Sequence, residues 1–185
     1  LEVVALLRAA QVEYLCHLPM ESATGANPGP NAILETLSPE RIGARTRAAL
    51  DELPGAAGVN NHMGSATTAD PVAIGTVLDI VAERRLFFLD SRTTRESVAF
   101  DLARTRAIPA ARRDLFLDEA PDEASVEAAF DRLLEIAREK GAAIAIGHPR
   151  RETLAVLERR IPLAKAAGFE LVPVSYLLER DEESP

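Results

Sequence analysis

Short, mainly apolar runs alternate with amphipathic stretches along the whole chain, and this alternation predicts strands and helices in turn. The predicted strands cover residues 12–16, 56–60, 86–89, 114–118, 142–146 and 169–174. The run at 142–146 is apolar at every position, which is typical of a strand in a parallel sheet covered by helices on both faces. We therefore predict an α/β fold built on a parallel sheet.

Capping residues and prolines predict where the helices begin and end. Ser38 and Asp70 each precede a proline, as an N-cap residue does when proline takes the first helical position. Gly141 follows a long amphipathic stretch, where a left-handed C-terminal cap belongs. Residues 22–37 contain Asn-Pro-Gly-Pro and have no periodic pattern, so we expect a long surface loop there. The predicted helices cover residues 38–53, 70–85, 97–106, 123–140 and 152–167, and the end of one more helix precedes the first strand.

Length and charge restrict the class of protein. The 185 residues fit a single domain, which we take to span residues 1–185. A net charge of -8 and a pI near 5.0 argue against nucleic acid or an anionic membrane as the main partner. No apolar run approaches the roughly 20 residues of a transmembrane helix, so we predict no membrane span. Cys16 is the single cysteine, which excludes an internal disulfide, and the first residue is Leu1, so we expect the chain to begin inside a fold.

All three histidines lie at, or within two residues of, the end of a predicted strand: His17, His62 and His148. In barrels and parallel sheets the carboxyl ends of the strands form the face where ligands collect. Imidazoles and carboxylates bind zinc, iron, manganese and nickel, and a catalytic metal takes about three such ligands. His17, Glu21 and His62 are therefore the predicted metal ligands. A histidine that only bonds a backbone carbonyl is the alternative for each, and both interpretations stay open.

Two further groups at strand ends are candidates for chemistry. Asp90 follows an apolar strand and precedes Arg92, whose guanidinium would keep the carboxylate ionised. A buried ion pair without a catalytic role is the alternative. His148 precedes a proline that restricts the backbone, and a positioned imidazole suits a general acid. We predict His148 and Asp90 as catalytic residues.

Side chains near His62 have groups suited to sugar hydroxyls. Asn60, Asn61 and Ser65 are the predicted substrate-binding residues of this segment, and Arg92 is counted with them. The same residue types are ordinary in loops, so that alternative also stays open. A glycine-rich phosphate loop, a Gly-x-Ser-x-Gly elbow and a Cys-x-x-Cys pair are absent from the sequence, so nucleotide, serine-hydrolase and thiol-redox chemistry have no support.

Five segments together resemble the divergent polysaccharide deacetylases, a bacterial branch of the carbohydrate deacetylase superfamily. They are His17-Leu18-Pro19-Met20-Glu21, Gly58 to Ser65, Phe87 to Thr93, Ala145-Ile146-Gly147-His148-Pro149 and Leu171 to Ser175. The resemblance implies a distorted (β/α) barrel of about seven strands, with the N-terminal strands absent from this chain. It also implies a divalent metal at the strand ends, zinc being the first candidate, and a periplasmic or cell-envelope location.

The resemblance also implies roles for individual residues, with two departures. In better studied relatives an Asp-Asp pair on the first strand supplies a metal ligand and the catalytic base, and this sequence contains no such pair. A His-x-x-x-His motif supplies two more ligands there. Here His17 matches the first histidine, and Glu21 replaces the second. His62 stands in a segment peculiar to the divergent branch, and His148 matches the late histidine that acts as general acid.

We therefore expect a metal-dependent hydrolase that removes an acetyl group from an N-acetylated sugar polymer or cell-wall glycan. One alternative is a catalytically inactive barrel that binds glycan or a protein in the envelope. A different metal-dependent barrel enzyme, such as a phosphoesterase, is the other alternative.

Overall fold

The computed structural model describes residues 2–182. The chain forms two compact units, Leu1–Arg112 and Arg113–Pro185, which we call the first and the second unit. Both units combine parallel strands with helices, so the α/β class predicted from the alternating pattern is confirmed. Among the described residues no helix has the length and apolar character needed to cross a bilayer.

The first unit is built on a four-stranded parallel sheet. Its strands are β1 (Leu15–Met20), β2 (Gly58–Met63), β3 (Phe87–Asp90) and β4 (Ala110–Arg112), and they lie in that order. The β1–β2 register places His17 beside Asn60, and the β2–β3 register places Asn60 beside Leu89. The register thereby brings His17 and His62, which are 45 residues apart in sequence, side by side on neighbouring strands.

The first unit contains four helices. They are α1 (Glu2–Ala9), α2 (Pro39–Asp51), α3 (Pro71–Glu83) and α4 (Ala99–Thr105), with a short 3₁₀ turn at Thr67–Ala69. The Asp70 carboxylate caps α3 by accepting hydrogen bonds from the backbone N–H groups of Val72 and Ala73. Ser38 occupies the same position before α2, but its hydroxyl makes no capping bond. Phe88 and Val77 are fully buried in the core between sheet and helices.

The second unit contains a two-stranded parallel sheet and three helices. The strands are β5 (Leu115–Phe116) and β6 (Ala145–Ile146), and the helices are α5 (Glu123–Lys140), α6 (Arg151–Ala166) and α7 (Val174–Glu182). Gly141 has a φ of 85° and ends α5 as the predicted left-handed cap. Val126 and Val156, from α5 and α6, are completely buried in the core of this unit.

The predictions for the strands are wrong at several points. The first strand covers Leu15–Met20 and not 12–16, so His17 lies inside it. Residues 169–173 form no strand, and Val174 already begins α7. Pro173 lacks a backbone donor for a ladder but suits the entry to a helix, which explains this error. The chain instead forms a strand at Ala110–Arg112, whose short apolar run gave no strand signal. The expected count of about seven strands is also too high, since the described residues form six strands in two sheets. A closed barrel stays a prediction.

The predicted loop at residues 22–37 has no helix or extended strand. It is nevertheless attached to the core, because Ile33 pairs with Met20 at the end of β1 and both side chains are fully buried. The backbone N–H of Ile33 donates to the carbonyl of Pro19 at 2.8 Å. The two ends of this loop therefore lie at the carboxyl end of the strand that carries His17.

Candidate functional site

Two histidines lie next to each other in the sheet of the first unit: His17 is the third of the six residues of β1, and His62 is the fifth of the six residues of β2. His17 lies beside Asn60, and His62 follows two residues later on β2, so all three side chains are on the same face of the sheet. The Nε2 atom of His17 is 3.0 Å from the Nδ1 atom of His62, and the two rings pack edge to face with centroids 4.8 Å apart. We call His17 and His62 the histidine pair.

A chain of hydrogen bonds determines which nitrogen of His17 carries the proton. The Ser91 hydroxyl donates to the backbone carbonyl of Asn61 at 2.8 Å, so it must accept from the Asn60 side-chain amide at 3.2 Å. The other Asn60 atom, Oδ1, is therefore an acceptor and lies 3.0 Å from Nδ1 of His17. Nδ1 of His17 must be protonated, so in the neutral ring the Nε2 lone pair faces His62.

The neighbouring predicted sugar-binding residues make hydrogen bonds inside the protein. Asn61 is 1% exposed, and its Oδ1 accepts from the Ser91 N–H at 2.8 Å while its Nδ2 donates to the carbonyl of Met63 at 2.7 Å. The Ser65 hydroxyl accepts from the backbone N–H of Ala23 at 2.9 Å. Asn61 and Ser65 therefore hold the two strand-end loops in place.

Glu21, the third predicted metal ligand, lies directly after β1. Its Oε2 atom accepts a hydrogen bond of 2.7 Å from the backbone N–H of Glu35. Within the part of the chain that the structure describes, no group of three or more His, Cys, Asp or Glu side chains is arranged to hold a metal ion. At this site the structure thus brings together the two side chains of the histidine pair, without a third metal-binding side chain from the described residues.

Asp90 ends β3 and is 1% exposed. Its Oδ1 accepts from the backbone N–H of Arg92 at 2.7 Å, and its Oδ2 accepts from the Ser97 hydroxyl at 2.7 Å. Arg92 has a φ of 48°, in the left-handed region that non-glycine residues rarely occupy. The Asp90 carboxylate thus fixes a tight turn after β3 by accepting a hydrogen bond from the backbone of Arg92.

The single histidine of the second unit, His148, is hydrogen-bonded to a buried carboxylate. Nδ1 of His148 lies 3.0 Å from Oδ1 of Asp118, and the backbone N–H of His148 donates to Oδ2 of the same carboxylate at 2.7 Å. The Thr153 hydroxyl, at the start of α6, donates to Oδ2 at 3.0 Å. The Asp118 side chain is 1% exposed, while that of His148 is 52% exposed. We call His148 and Asp118 the dyad.

Opposing effects set the charge of the dyad. Burial acts to raise the pKa of the Asp118 carboxyl, but hydrogen bonds from the His148 backbone, the His148 ring and Thr153 outweigh it and lower the pKa below its usual value. Asp118 is therefore ionised at neutral pH and holds Nδ1 of His148 as a proton donor. This leaves Nε2 of the half-exposed ring for proton exchange with a bound molecule.

Aromatic and cationic groups flank the dyad within the second unit. The Phe116 ring stacks almost parallel to the His148 ring, at an interplanar angle of 13° and a centroid distance of 6.5 Å. The Arg113 guanidinium lies 3.6 Å from the Phe116 centroid, and Arg150 donates to the backbone carbonyl of Asp118 at 2.9 Å. One face of the His148 ring is therefore next to Phe116, and the two arginines contact the neighbours of His148.

Sequence analysis missed one residue of this constellation. Asp118 is the last residue of the strand predicted at 114–118, whereas the carboxylate predicted to act in catalysis is that of Asp90. The signal for Asp118 was its position after an apolar run, the same position that His148 occupies after the next strand. Pairing the two requires the β5–β6 register, in which Phe116 lies beside Ile146, two residues before each member of the dyad.

Comparison with known proteins gives consistent matches. An uncharacterized protein of Haemophilus influenzae is 38% identical over 176 residues, which is 94% of this chain and 61% of that protein. The uncharacterized protein YibQ of Escherichia coli is 34% identical over 149 residues, 80% of this chain and 47% of that protein. This chain therefore spans about half to three-fifths of the length of these curated relatives.

A solved structure and a family model extend the comparison. The crystal structure of an uncharacterized protein from Agrobacterium tumefaciens superimposes with a TM-score of 0.88 at 29% sequence identity, covering 92% of this chain and 70% of that one. The family model described as divergent polysaccharide deacetylase matches residues 1–178. The resemblance inferred from five segments is thereby confirmed over almost the whole chain, which belongs to the divergent polysaccharide deacetylase family.

Proposed function

We propose that the protein is a metal-dependent hydrolase that removes acetyl groups from an N-acetylated sugar polymer or cell-wall glycan. One observation carries the proposal: the facing nitrogens of His17 and His62, 3.0 Å apart on neighbouring strands, with the His17 tautomer set by Asn60. Family membership supports a carbohydrate partner. The proposed native metal is zinc, and on the same family ground we propose a periplasmic or cell-envelope location.

The histidine pair fits a divalent metal. Two imidazole nitrogens, each about 2.05 Å from one zinc ion, lie about 2.9 to 3.4 Å apart in ordinary coordination geometries. The observed separation of 3.0 Å falls in this range. The Nδ1–H of His17 is bonded to the Asn60 oxygen, and such outer contacts orient metal-binding histidines in known sites. His17 and His62 would hold the metal, and a complete catalytic site needs about one further protein ligand.

The resemblance implies that a carboxylate from an Asp-Asp pair supplies that further ligand and the base. This sequence has no such pair, and it spans 61% of the length of the Haemophilus influenzae relative. The ligand and the base are therefore assigned, as part of the proposal, to the whole protein. A bound divalent metal would polarise the acetamide carbonyl and activate a water molecule.

The proposed reaction is hydrolysis of an acetamide. A bond forms between a water oxygen and the carbonyl carbon, the carbon–nitrogen bond breaks, and acetate and a free amine result. The departing nitrogen needs a proton, and we assign its donation to Nε2 of His148. Asp118 bonds Nδ1, so it orients the ring and stabilises the imidazolium before transfer. A general acid of this kind contributes roughly 10²- to 10⁴-fold to a rate.

The proposal is tested by acetate release. The intact protein, loaded with zinc, is incubated with N-acetylglucosamine oligomers and polymers, and acetate is quantified. We expect release by the wild type and a rate lower by roughly 10²- to 10⁴-fold for His148→Ala. Absence of acetate from every such polymer, with metal bound, would overturn the deacetylase assignment.

A second candidate is a glycan-binding domain without turnover. The observation in its favour is that the described residues contain no group of three or more His, Cys, Asp or Glu side chains arranged to hold a metal ion. Labelled glycans titrated against wild type and His62→Ala distinguish the candidates. A binder that uses no metal chemistry should bind equally in both proteins, whereas the hydrolase should lose binding or turnover in the variant.

A further inference from the structure

The carboxylate of Glu21 contacts the 22–37 loop, through the backbone N–H of Glu35. We infer that Glu21 is a positioning residue: its carboxylate fixes the returning end of this loop against the carboxyl end of β1, and it does not ligate a metal. The inference rests on the proposed function only where it concerns metal.

The backbone of Glu21 is the meeting point of three segments. Its N–H donates to the carbonyl of Ile33 at 2.8 Å and to the Thr67 hydroxyl at 3.0 Å. Its carbonyl accepts from the N–H groups of Ala66 and Thr67, at 3.1 and 3.4 Å. The backbone at Glu21 thus ties the end of β1 to the returning loop and to the segment after β2.

The carboxylate of Glu21 adds the contact that reaches furthest along the loop. Its Oε2 accepts from the N–H of Glu35, two residues beyond Ile33, at 2.7 Å. Glu35 itself is exposed. The bond to Glu21 therefore attaches the loop backbone at a residue whose own side chain is not packed in the core. A carboxylate oxygen that accepts a short backbone hydrogen bond keeps a fixed direction, which here is toward the loop.

Other side chains hold the loop in the same manner. Thr67, which is completely buried, donates from its hydroxyl to the carbonyl of Ile33 at 3.1 Å, and Ser65 accepts from the N–H of Ala23 at the outgoing end. Arg45 donates to the carbonyl of Ala32. Both ends of the 22–37 loop are therefore hydrogen-bonded to neighbouring elements, and the loop lies against the carboxyl end of β1.

Glu21→Gln and Glu21→Ala separate the two roles. The glutamine amide oxygen accepts the Glu35 hydrogen bond as the carboxylate does, but a neutral amide is a poor ligand for zinc. Alanine removes both capabilities. Ser65→Ala is the matched variant, because it loosens the outgoing end of the loop without touching a carboxylate.

The first measurement is limited proteolysis with subtilisin, with cleavage sites mapped by mass spectrometry. We expect Glu21→Ala and Ser65→Ala to be cut within residues 22–37 about fivefold faster than wild type, as loss of one hydrogen bond of ordinary strength predicts. Glu21→Gln should be cut at the wild-type rate. Unchanged cleavage of Glu21→Ala would overturn the inference.

The second measurement is zinc titration of the metal-free intact protein. We expect Glu21→Gln to bind zinc within about twofold of wild type, whereas a lost ligand would weaken binding roughly 10-fold or more. Weakening of that size in Glu21→Gln would overturn the inference and restore Glu21 as a ligand. If wild type binds no zinc, the proposed function fails, and the proteolysis still decides whether Glu21 fixes the loop. If Glu21→Ala does not fold, Glu21→Gln and Ser65→Ala decide both points.

Discussion

Asp118 is the residue whose environment determines most about the chemistry of the second unit. Its buried carboxylate receives three hydrogen bonds, two of them from His148 and one from Thr153. Such a carboxylate stabilises the fold only while it is ionised. The negative charge of Asp118 therefore supports both the proposed role of His148 and the stability of the folded protein.

Asp118→Asn tests this charge through the pH dependence of stability. Because the folded-state pKa of Asp118 is lowered, its contribution is fully present above the unfolded-state value of about 3.9 and disappears as pH falls through the folded value. At pH 7 we expect the variant to be less stable by about 1–3 kcal/mol, since an amide N–H₂ then faces a donor. The difference in the free energy of unfolding between wild type and Asp118→Asn should decrease as pH falls from 5 to 2. Thermal unfolding across this range measures it, with exposed Glu119→Gln as control, and a constant difference would contradict the account.

Cys16 gives a second residue-level prediction. Burial first, and then the negative charge of Glu52, raises the pKa of its thiol to about 11. Because the thiolate is the reactive form, the native protein should react with a thiol reagent at pH 7 far more slowly than the same protein unfolded in guanidinium. Labelling kinetics followed by absorbance measure this directly. Rapid, stoichiometric labelling of the native protein would contradict the burial of the Cys16 thiol in β1.

At the scale of elements, the starts of α2 and α3 provide a matched pair. Asp70 caps α3 with two hydrogen bonds, whereas Ser38 before α2 makes no capping bond. We expect Asp70→Ala to reduce the free energy of unfolding by about 1 kcal/mol and Ser38→Ala to change it by less than about 0.5 kcal/mol. Urea unfolding of the two variants measures the difference. Equal losses would contradict the assigned caps.

Elements with strong local signals could be predicted from the sequence, and elements defined by pairing could not. Helices α2, α3 and α5 can be predicted because a capping residue, a proline or a terminal glycine marks where they begin or end. Strand β4 has only two alanines and an arginine and exists through its pairing with β3. The apolar run at 169–174 lacks such a partner in the described residues, and it leads into α7 instead.

The same distinction applies to the candidate site. The sequence places His17, His62 and His148 at or within two residues of the ends of predicted strands, and the structure differs in that His17 lies inside β1. The role of Asn60 in fixing the His17 tautomer depends on the β1–β2 register, and the partnership of His148 with Asp118 depends on the β5–β6 register. Neither register follows from local pattern, since each joins segments at least 30 residues apart.

At the scale of the whole molecule, the proposed chemistry is divided between the two units. The histidine pair belongs to the first unit and the dyad to the second, and each unit has its own apolar core. The family match covers residues 1–178 and so includes both. We therefore expect that removal of His148 leaves the proposed metal binding by His17 and His62 intact.

The most direct test of the account is metal content by elemental analysis of the intact protein, purified without chelator and after zinc is added back. Wild type is compared with His17→Ala and His62→Ala, and His148→Ala serves as the control because it removes the one histidine of the second unit. The account predicts close to one zinc per chain in wild type and in His148→Ala, and strong loss in the other two variants. No metal in wild type, or equal metal in all four proteins, would contradict it.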